Sequence, residues 1–372
     1  MRILDRYLLK EFVGPVVMFL VSFSLLFVIF DLFGRLGRFI NVDAPLSSIA
    51  TYYFHYLFAF NGNVSLIVVI LPISLLLAAL YCATNLIRHN EFVAMMASGV
   101  SFTRILAPFA AVGLVASLLA WAAQERQAPR SMRWTRQFEK TVLKGQTELP
   151  AIKNFIFFNS AAGRIWEFPE FIPSNTFSIG EVTVTQMRPE GSETVYKTGS
   201  AYWADGTWWL RSPLIEHKNP EGARLGRPET YPKRAIEMRN WDESPRDFAV
   251  EYEAQQDSQG LSAGDLHTFM GNHPDFPKAK RARLETDYYN RFAMPFTCLV
   301  VALLGIPAGL KTGRSNVMAR MILSLGFFFL FYLSLHVCLY LGKSQWLPPM
   351  LAAWLPNLLF AAVSLRMIRS LQ

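Results

Sequence analysis

Residues 12–33 read FVGPVVMFLVSFSLLFVIFDLF, twenty-two positions of which all but one are uncharged. A helix needs about 20 predominantly apolar residues to cross the hydrocarbon core of a bilayer, so this run is a membrane span. Its place near the amino terminus invites comparison with a signal peptide, but the apolar core is too long. The nearest small-residue site, Val42-Asp43-Ala44, lies far downstream and is followed by Pro45. The run therefore reads as a retained helix. Five more stretches satisfy the same length criterion: 56–86, 105–123, 292–310, 321–341 and 347–365. The second exceeds what one crossing needs and is interrupted by Asn61, Gly62, Asn63 and Pro72, which suits a helix that is tilted or extends past the bilayer.

The whole chain agrees with this division. Of its 372 residues 52% are hydrophobic and 17% charged, too apolar for an ordinary soluble protein and too charged for one wholly in the membrane. Three spans precede a polar insert and three follow it. The expected architecture is a membrane α-helical protein, 3+3, with an inserted all-β jellyroll-like domain. Residues 1–123 form the first block, 124–284 the insert and 285–372 the second block. The insert carries short runs rich in aromatic and β-branched residues at 154–158, 164–168, 181–187, 208–218 and 248–252. Turn signals such as Arg188-Pro189-Glu190-Gly191 and Asn219-Pro220-Glu221-Gly222 separate some of these runs. Strands at this spacing predict a sandwich or jellyroll. Ser262, with Asp265 three residues on, predicts a capped helix after them.

Short loops set the orientation. Arg2, Arg6 and Lys10 precede the first span, Arg88 and Arg104 lie between the second and third, Lys311, Arg314 and Arg320 between the fourth and fifth, and Arg366 and Arg369 end the chain. By the positive-inside rule these regions are cytoplasmic, both termini included, and the insert is on the outer side of the membrane. Arg35 and Arg38 count against this and are outnumbered. Lys311, Arg314 and Arg320 also suit anionic lipid, and Tyr340, Trp346 and Trp354 suit the membrane interface.

Several chemistries are not expected. Cys82, Cys298 and Cys338 lie in apolar stretches without metal or redox spacing, and the six histidines show no ligand pairing. No catalytic set can be placed and no cofactor or metal is indicated; no basic stripe with interleaved aromatics suggests nucleic acid. The segment Gly305-Ile-Pro-Ala-Gly309-Leu-Lys311-Thr312 resembles a phosphate-binding loop only on the surface. Three residues separate its glycines, Leu310 intervenes before Lys311, and the segment follows a membrane span rather than a core strand. ATP-driven work would need a separate ATPase.

The segment 88–99 between the second and third spans is amphipathic. Phe92, Met95 and Met96 fall at i, i+3 and i+4 on one helical face, and Gly99 suits the helix end. Such a helix either docks its apolar face in a partner's groove or lies on the lipid surface; the residues alone leave both readings open.

The run Glu91-Phe-Val-Ala-Met-Met-Ala-Ser-Gly-Val-Ser101 resembles the coupling-helix signature of the LptF/LptG permease family, the membrane subunits of the lipopolysaccharide-export ABC transporter. Three further stretches are similar to that family in order: Ile3-Leu-Asp-Arg-Tyr7, Pro295 to Pro307 with Gly313-Arg314-Ser315, and Leu347 to Asn357. The start Ile3 to Tyr7 leans toward the G-type half. The resemblance implies six membrane helices around a periplasmic jellyroll, a second LptF/LptG-type permease, a cytoplasmic ABC ATPase dimer, and a jellyroll-type periplasmic bridge protein that receives lipopolysaccharide from the inner membrane. Carried over, Glu91 is the contact to a basic residue of the ATPase, within a coupling segment that includes Phe92, Met95, Met96 and Gly99. Arg35 and Arg38 meet the phosphorylated head group. The sequence departs from some members in having no lysine in residues 25–30. Phe155, Phe157, Ile165 and Phe168 are expected to line the lipid relay of the β domain, whereas Trp203, Trp208 and Trp209 read as core.

Other readings are a permease for another lipid or for lipoprotein extraction, a membrane-anchored sensor or scaffold, and a secondary transporter. Short internal loops leave a sensor without an output domain, and the scarcity of ionisable groups in the spans argues against a secondary transporter.

Overall fold

The computed structural model describes residues 3–59, 65–143, 152–172, 178–188, 190–232, 234–257, 261–311 and 317–370. Arg2, Asn61, Gly62, Asn63, Pro189, Thr312, Gly313, Arg314 and Ser315, used above, lie outside the described residues. The chain divides into two compact units, Met1–Arg136 with Lys278–Gln372, and Gln137–Pro277.

In the first unit six helices among the described residues are long and apolar enough to cross a membrane. They are α1 (Ile3–Asn41), α3 (Leu66–Arg88), α5 (Phe102–Ala122), α9 (Lys278–Lys311), α10 (Val317–Lys343) and α11 (Pro349–Arg369). At 1.5 Å per residue α1 is about 58 Å long, well beyond the ~30 Å hydrocarbon core, so Arg35 and Arg38 ride on the helix rather than on a loop after it. The second span begins later than its apolar run suggests. Tyr56 belongs to a separate helix, α2 (Leu46–Tyr56), whose Tyr52, Tyr53 and Tyr56 are buried, with Phe39 of α1 stacked edge-on against Tyr52 at 5.6 Å. An aromatic face packed on α1 is hard to tell by hydropathy from the start of a span. α5 continues through a π-helical turn (Ala123–Gln127) into α6 (Ala128–Phe138), a helix in the region expected to begin the β insert.

α3 and α9 form the centre of the bundle. Gly305 and Gly309 of α9 face Ala79 and Ala83 of α3 so closely that an added Cβ would stand 2.6 Å from each alanine Cβ. Without lipid-excluded water to drive helices together, close approach over small residues supplies the packing. The glycine spacing that mimicked a phosphate loop is therefore a helix-packing seam. Pro295 lies inside α9 and removes a backbone donor there. Beside it, Asn357 of α11 donates through Nδ2 to the carbonyl of Ala293 at 2.7 Å and accepts from Thr297 at 3.3 Å. Ser117 of α5 accepts from the Leu299 N–H at 3.2 Å.

The second unit is an antiparallel β sandwich. The strands are β1 (Ile152–Asn159), β2 (Arg164–Phe171), β3 (Ser178–Ile179), β4 (Val182–Met187), β5 (Glu193–Thr198), β6 (Ser200–Ala204), β7 (Thr207–Arg211), β8 (Leu214–Lys218), β9 (Glu229–Thr230) and β10 (Ala235–Met238). One sheet runs β1-β2-β4-β5-β8-β9 and the other β10-β7-β6-β3. Both contribute to one core containing Phe157, Trp166, Val184, Trp208 and Leu210. Two expectations need correction. The run 208–218 is two strands in different sheets. Ser212 takes a left-handed φ of 52°, and Pro213 after it cannot donate to a ladder. Residues 248–252 are not a strand but part of α7 (Pro245–Asp257). Pro245 opens that helix, and the Asp247 carboxylate accepts from the N–H and hydroxyl of Ser244 at 2.7 and 2.9 Å. These start signals outweigh the apolar alternation. Helix α8 (Ala263–Asn272) starts as expected, with Ser262 Oγ accepting from the Asp265 N–H at 3.1 Å.

Candidate functional site: the α4 lever and the far end of α1

Between α3 and α5 lies α4 (Glu91–Ala97), seven residues held at both ends. Asn90 enters it with a left-handed φ of 55°, turning the chain sharply out of α3. Gly99 leaves it at φ 79°. The N–H of Gly99 bonds the carbonyl of Met96 at 3.0 Å and that of Val100 the carbonyl of Met95 at 3.1 Å. This paired closure uses a residue free to adopt positive φ. Phe92, Met95 and Met96 do share one face, but that face packs against the permease-unit core with Val100. Phe92 meets Phe102 edge-on at 6.0 Å. The face turned outward carries Val93, Ala94 and Ala97. Within this chain the apolar area of the Phe/Met face seats the lever on its own bundle.

Glu91, the first residue of α4, accepts a hydrogen bond from the phenol of Tyr7 through Oε2 at 2.7 Å. One turn further along α1, Glu11 Oε1 accepts from Asn85 Nδ2 of α3 at 2.8 Å. Neither contact is visible in linear sequence, since each joins residues more than seventy positions apart.

At the other end of α1, Arg35 and Arg38 have different surroundings. The Arg35 guanidinium pairs with Asp31 at 2.9 Å one turn earlier and lies over the rings of Tyr52 and Tyr56 at 5.7 and 6.0 Å. Tyr53 donates to the same carboxylate at 3.2 Å. Burial and the Asp31 charge both push the Tyr53 phenol up, so it stays a donor. Arg38 is exposed. Asp31 and Tyr53 were missed by sequence reasoning. The i, i+4 spacing of Asp31 and Arg35 was the available signal, and an acid in an apolar helix is itself one.

In the β domain Phe155, Phe157 and Phe168 are buried in the sandwich core. Phe155 stacks on Phe171 at 4.5 Å and Phe157 meets Phe248 at 4.8 Å. Ile165 lies on the opposite face of β2 from Trp166, in register with Phe158 and Thr185. Trp208 is core, its Nε1 donating to the Glu243 carbonyl at 2.6 Å. Among the described residues no group of three or more His, Cys, Asp or Glu is placed to hold a metal ion.

The lever is seated between the second and third of six apolar helices, with a β insert between the third and fourth. Residues 6–370 match the family described as lipopolysaccharide export system permease LptF/LptG. The chain belongs to that family. No curated protein matches the chain. The permease is a multi-pass inner-membrane protein of lipopolysaccharide export at the level of its family, and a transporter subunit rather than an enzyme.

Proposed function

We propose that this permease is one half of a pair driven by a cytoplasmic ABC ATPase dimer. The pair extracts lipopolysaccharide from the inner membrane and passes it to a jellyroll-type bridge protein in the periplasm. Both termini and α4 face the cytoplasm, and the β domain faces the periplasm. The observation that carries this reading is α4 itself: a short lever fixed at both ends, its apolar side seated on the bundle, its outer side small, and a carboxylate at its first residue. A charged contact at Glu91 fixes the register of a cationic partner, while Phe92, Met95, Met96 and Gly99 hold the lever's position. Arg38, exposed on α1, contacts the phosphorylated head group. Arg35, held by Asp31, shapes that end of the helix. Phe155, Phe157 and Phe168 offer acyl chains an apolar interior once the sheets part.

Recovery of the tagged permease from solubilised membranes tests this. A soluble ATPase and a second six-helix permease should co-purify, and Glu91→Ala should reduce ATPase recovery or transport. A lone homodimer without an ATPase would overturn it.

A further inference from the structure

The Glu91 carboxylate does not stand free at the tip of α4. It takes the Tyr7 hydroxyl at 2.7 Å, and Glu11, one turn beyond Tyr7, takes the Asn85 amide at 2.8 Å. Leu8 and Phe12, on the same stretch of α1, are fully buried in the core shared with α3 and α5. Two carboxylates, one exposed and one part-buried, thus tie the first turns of α1 to the end of α3 and to α4. A hydrogen bond to a charged acceptor is stronger than a neutral one and directional, so it fixes where the Glu91 charge points. It also makes α1 part of whatever moves when α4 is pushed.

We propose that Tyr7 is the positioning residue for Glu91. It presents the carboxylate to the cationic partner group and carries displacement of α4 into α1, in addition to the covalent route through α3. This rests on the reading of Glu91 as the ATPase contact. The carboxylate has two oxygens and accepts from both partners at once: Oε2 takes Tyr7 and the second oxygen takes the incoming cation, so docking adds a bond without breaking the tether.

The test is a double-mutant cycle in the complete complex, reconstituted in proteoliposomes with its ATPase and partner permease. It reads lipopolysaccharide released per ATP hydrolysed, alongside the thermal midpoint of the complex. Tyr7→Phe keeps the ring and removes only the hydroxyl. It should lower release per ATP about threefold to tenfold with no matching drop in thermal midpoint. In an E91A background it should lower release no further. Glu91→Gln keeps an oxygen for Tyr7 but loses the charge, and should impair ATPase recovery with Tyr7 in place. If Tyr7→Phe costs the same factor in both backgrounds, or costs nothing, the positioning role fails while the Glu91 contact stands. If E91A itself assembles and transports normally, the contact fails and the positioning role with it.

Discussion

α9 and α1 are both long, carry an apolar span and contain proline, yet they are used in opposite ways. In α9 78% of the apolar window is buried within the protein; in α1 only 6% is. α9 meets α3, α5 and α11 over small residues and a few buried polar bonds. α1 touches its own bundle near its start, through Leu8, Phe12 and Val16, and again near its end, through Phe39. Its middle presents Val17, Val21, Leu25, Phe30 and Phe33 outward. The difference teaches where motion and contact reside. A helix packed on three sides cannot shift without repacking the bundle, whereas one anchored at two ends has a free apolar flank for lipid or a partner helix.

The comparison breaks most readily at the α3–α9 seam. Gly305→Leu drives a side chain into the space of Ala79, and overpacking of this kind costs about 3 kcal/mol. The expected outcome is a strongly lowered thermal midpoint and poor recovery of the folded permease. The same change at Gly14 or Gly37 of α1, where an added Cβ meets nothing within 4 Å, should leave the midpoint within a degree or two. Equal losses at both helices would show that burial within one chain does not distinguish them.

A matched truncation sharpens the contrast. Leu304 of α9 is buried and Leu25 of α1 is exposed. In lipid the lost term is packing rather than water exclusion, so Leu304→Ala should cost about 2 kcal/mol, and Leu25→Ala within about 0.5 kcal/mol. The pair is read from denaturation of the purified permease. A large loss at Leu25 would mean that α1 is covered in the purified form.

Much of this architecture was legible in the sequence because membrane helices answer to length and hydropathy alone. The spans at 12–33 and 105–123 and the three after the insert needed only those two properties. The β insert was legible in class but not in detail. At 208–218 one apolar run serves two sheets, and only Ser212-Pro213 marks the crossing. At 248–252 a capped helix start overrode alternation. Of the candidate site, the sequence offered Glu91 and Arg35 as residue types through the family resemblance. The tyrosine contacts were not legible, because Tyr7 reaches Glu91 and Tyr53 reaches Asp31 through tertiary packing that no local spacing encodes; only the Asp31–Arg35 pair had a local spacing to show it. The helical face of Phe92, Met95 and Met96 was correctly drawn, but periodicity says which residues share a face and not what that face meets.

The far anchor of α1 provides a prediction of intermediate size. Asp31 serves Arg35 and Tyr53 together, and removing it leaves a part-buried guanidinium without its acid. Asp31→Ala should destabilise the α1–α2 contact by about 1–2 kcal/mol and raise hydrogen exchange in α2. Asp31→Ala combined with Arg35→Leu should recover part of that loss. No recovery would mean that the acid acts through a group other than Arg35.

The smallest effect lies on the other side of α2, where the anchor continues. His55 stacks on Trp134 of α6 at 4.3 Å, with Nδ1 3.1 Å from the Ser131 hydroxyl. Burial pushes this imidazole below its ordinary value, so the neutral ring is favoured in the folded state and the unfolded chain binds the proton more readily. Stability at this contact is therefore complete above the ordinary imidazole pKa of about 6.5 and declines as pH falls below it. Hydrogen-exchange protection in α2 and α6, taken relative to the intrinsic amide rate at each pH, should fall between about pH 7 and pH 5, while α3 and α9 show no such step. His55→Gln should remove the pH dependence and leave the α3–α9 seam untouched. A step that persists in His55→Gln would assign the titration elsewhere. A loss of protection in α9 of the same size would show that the end anchors and the bundle centre open together, contrary to the division between α1 and α9.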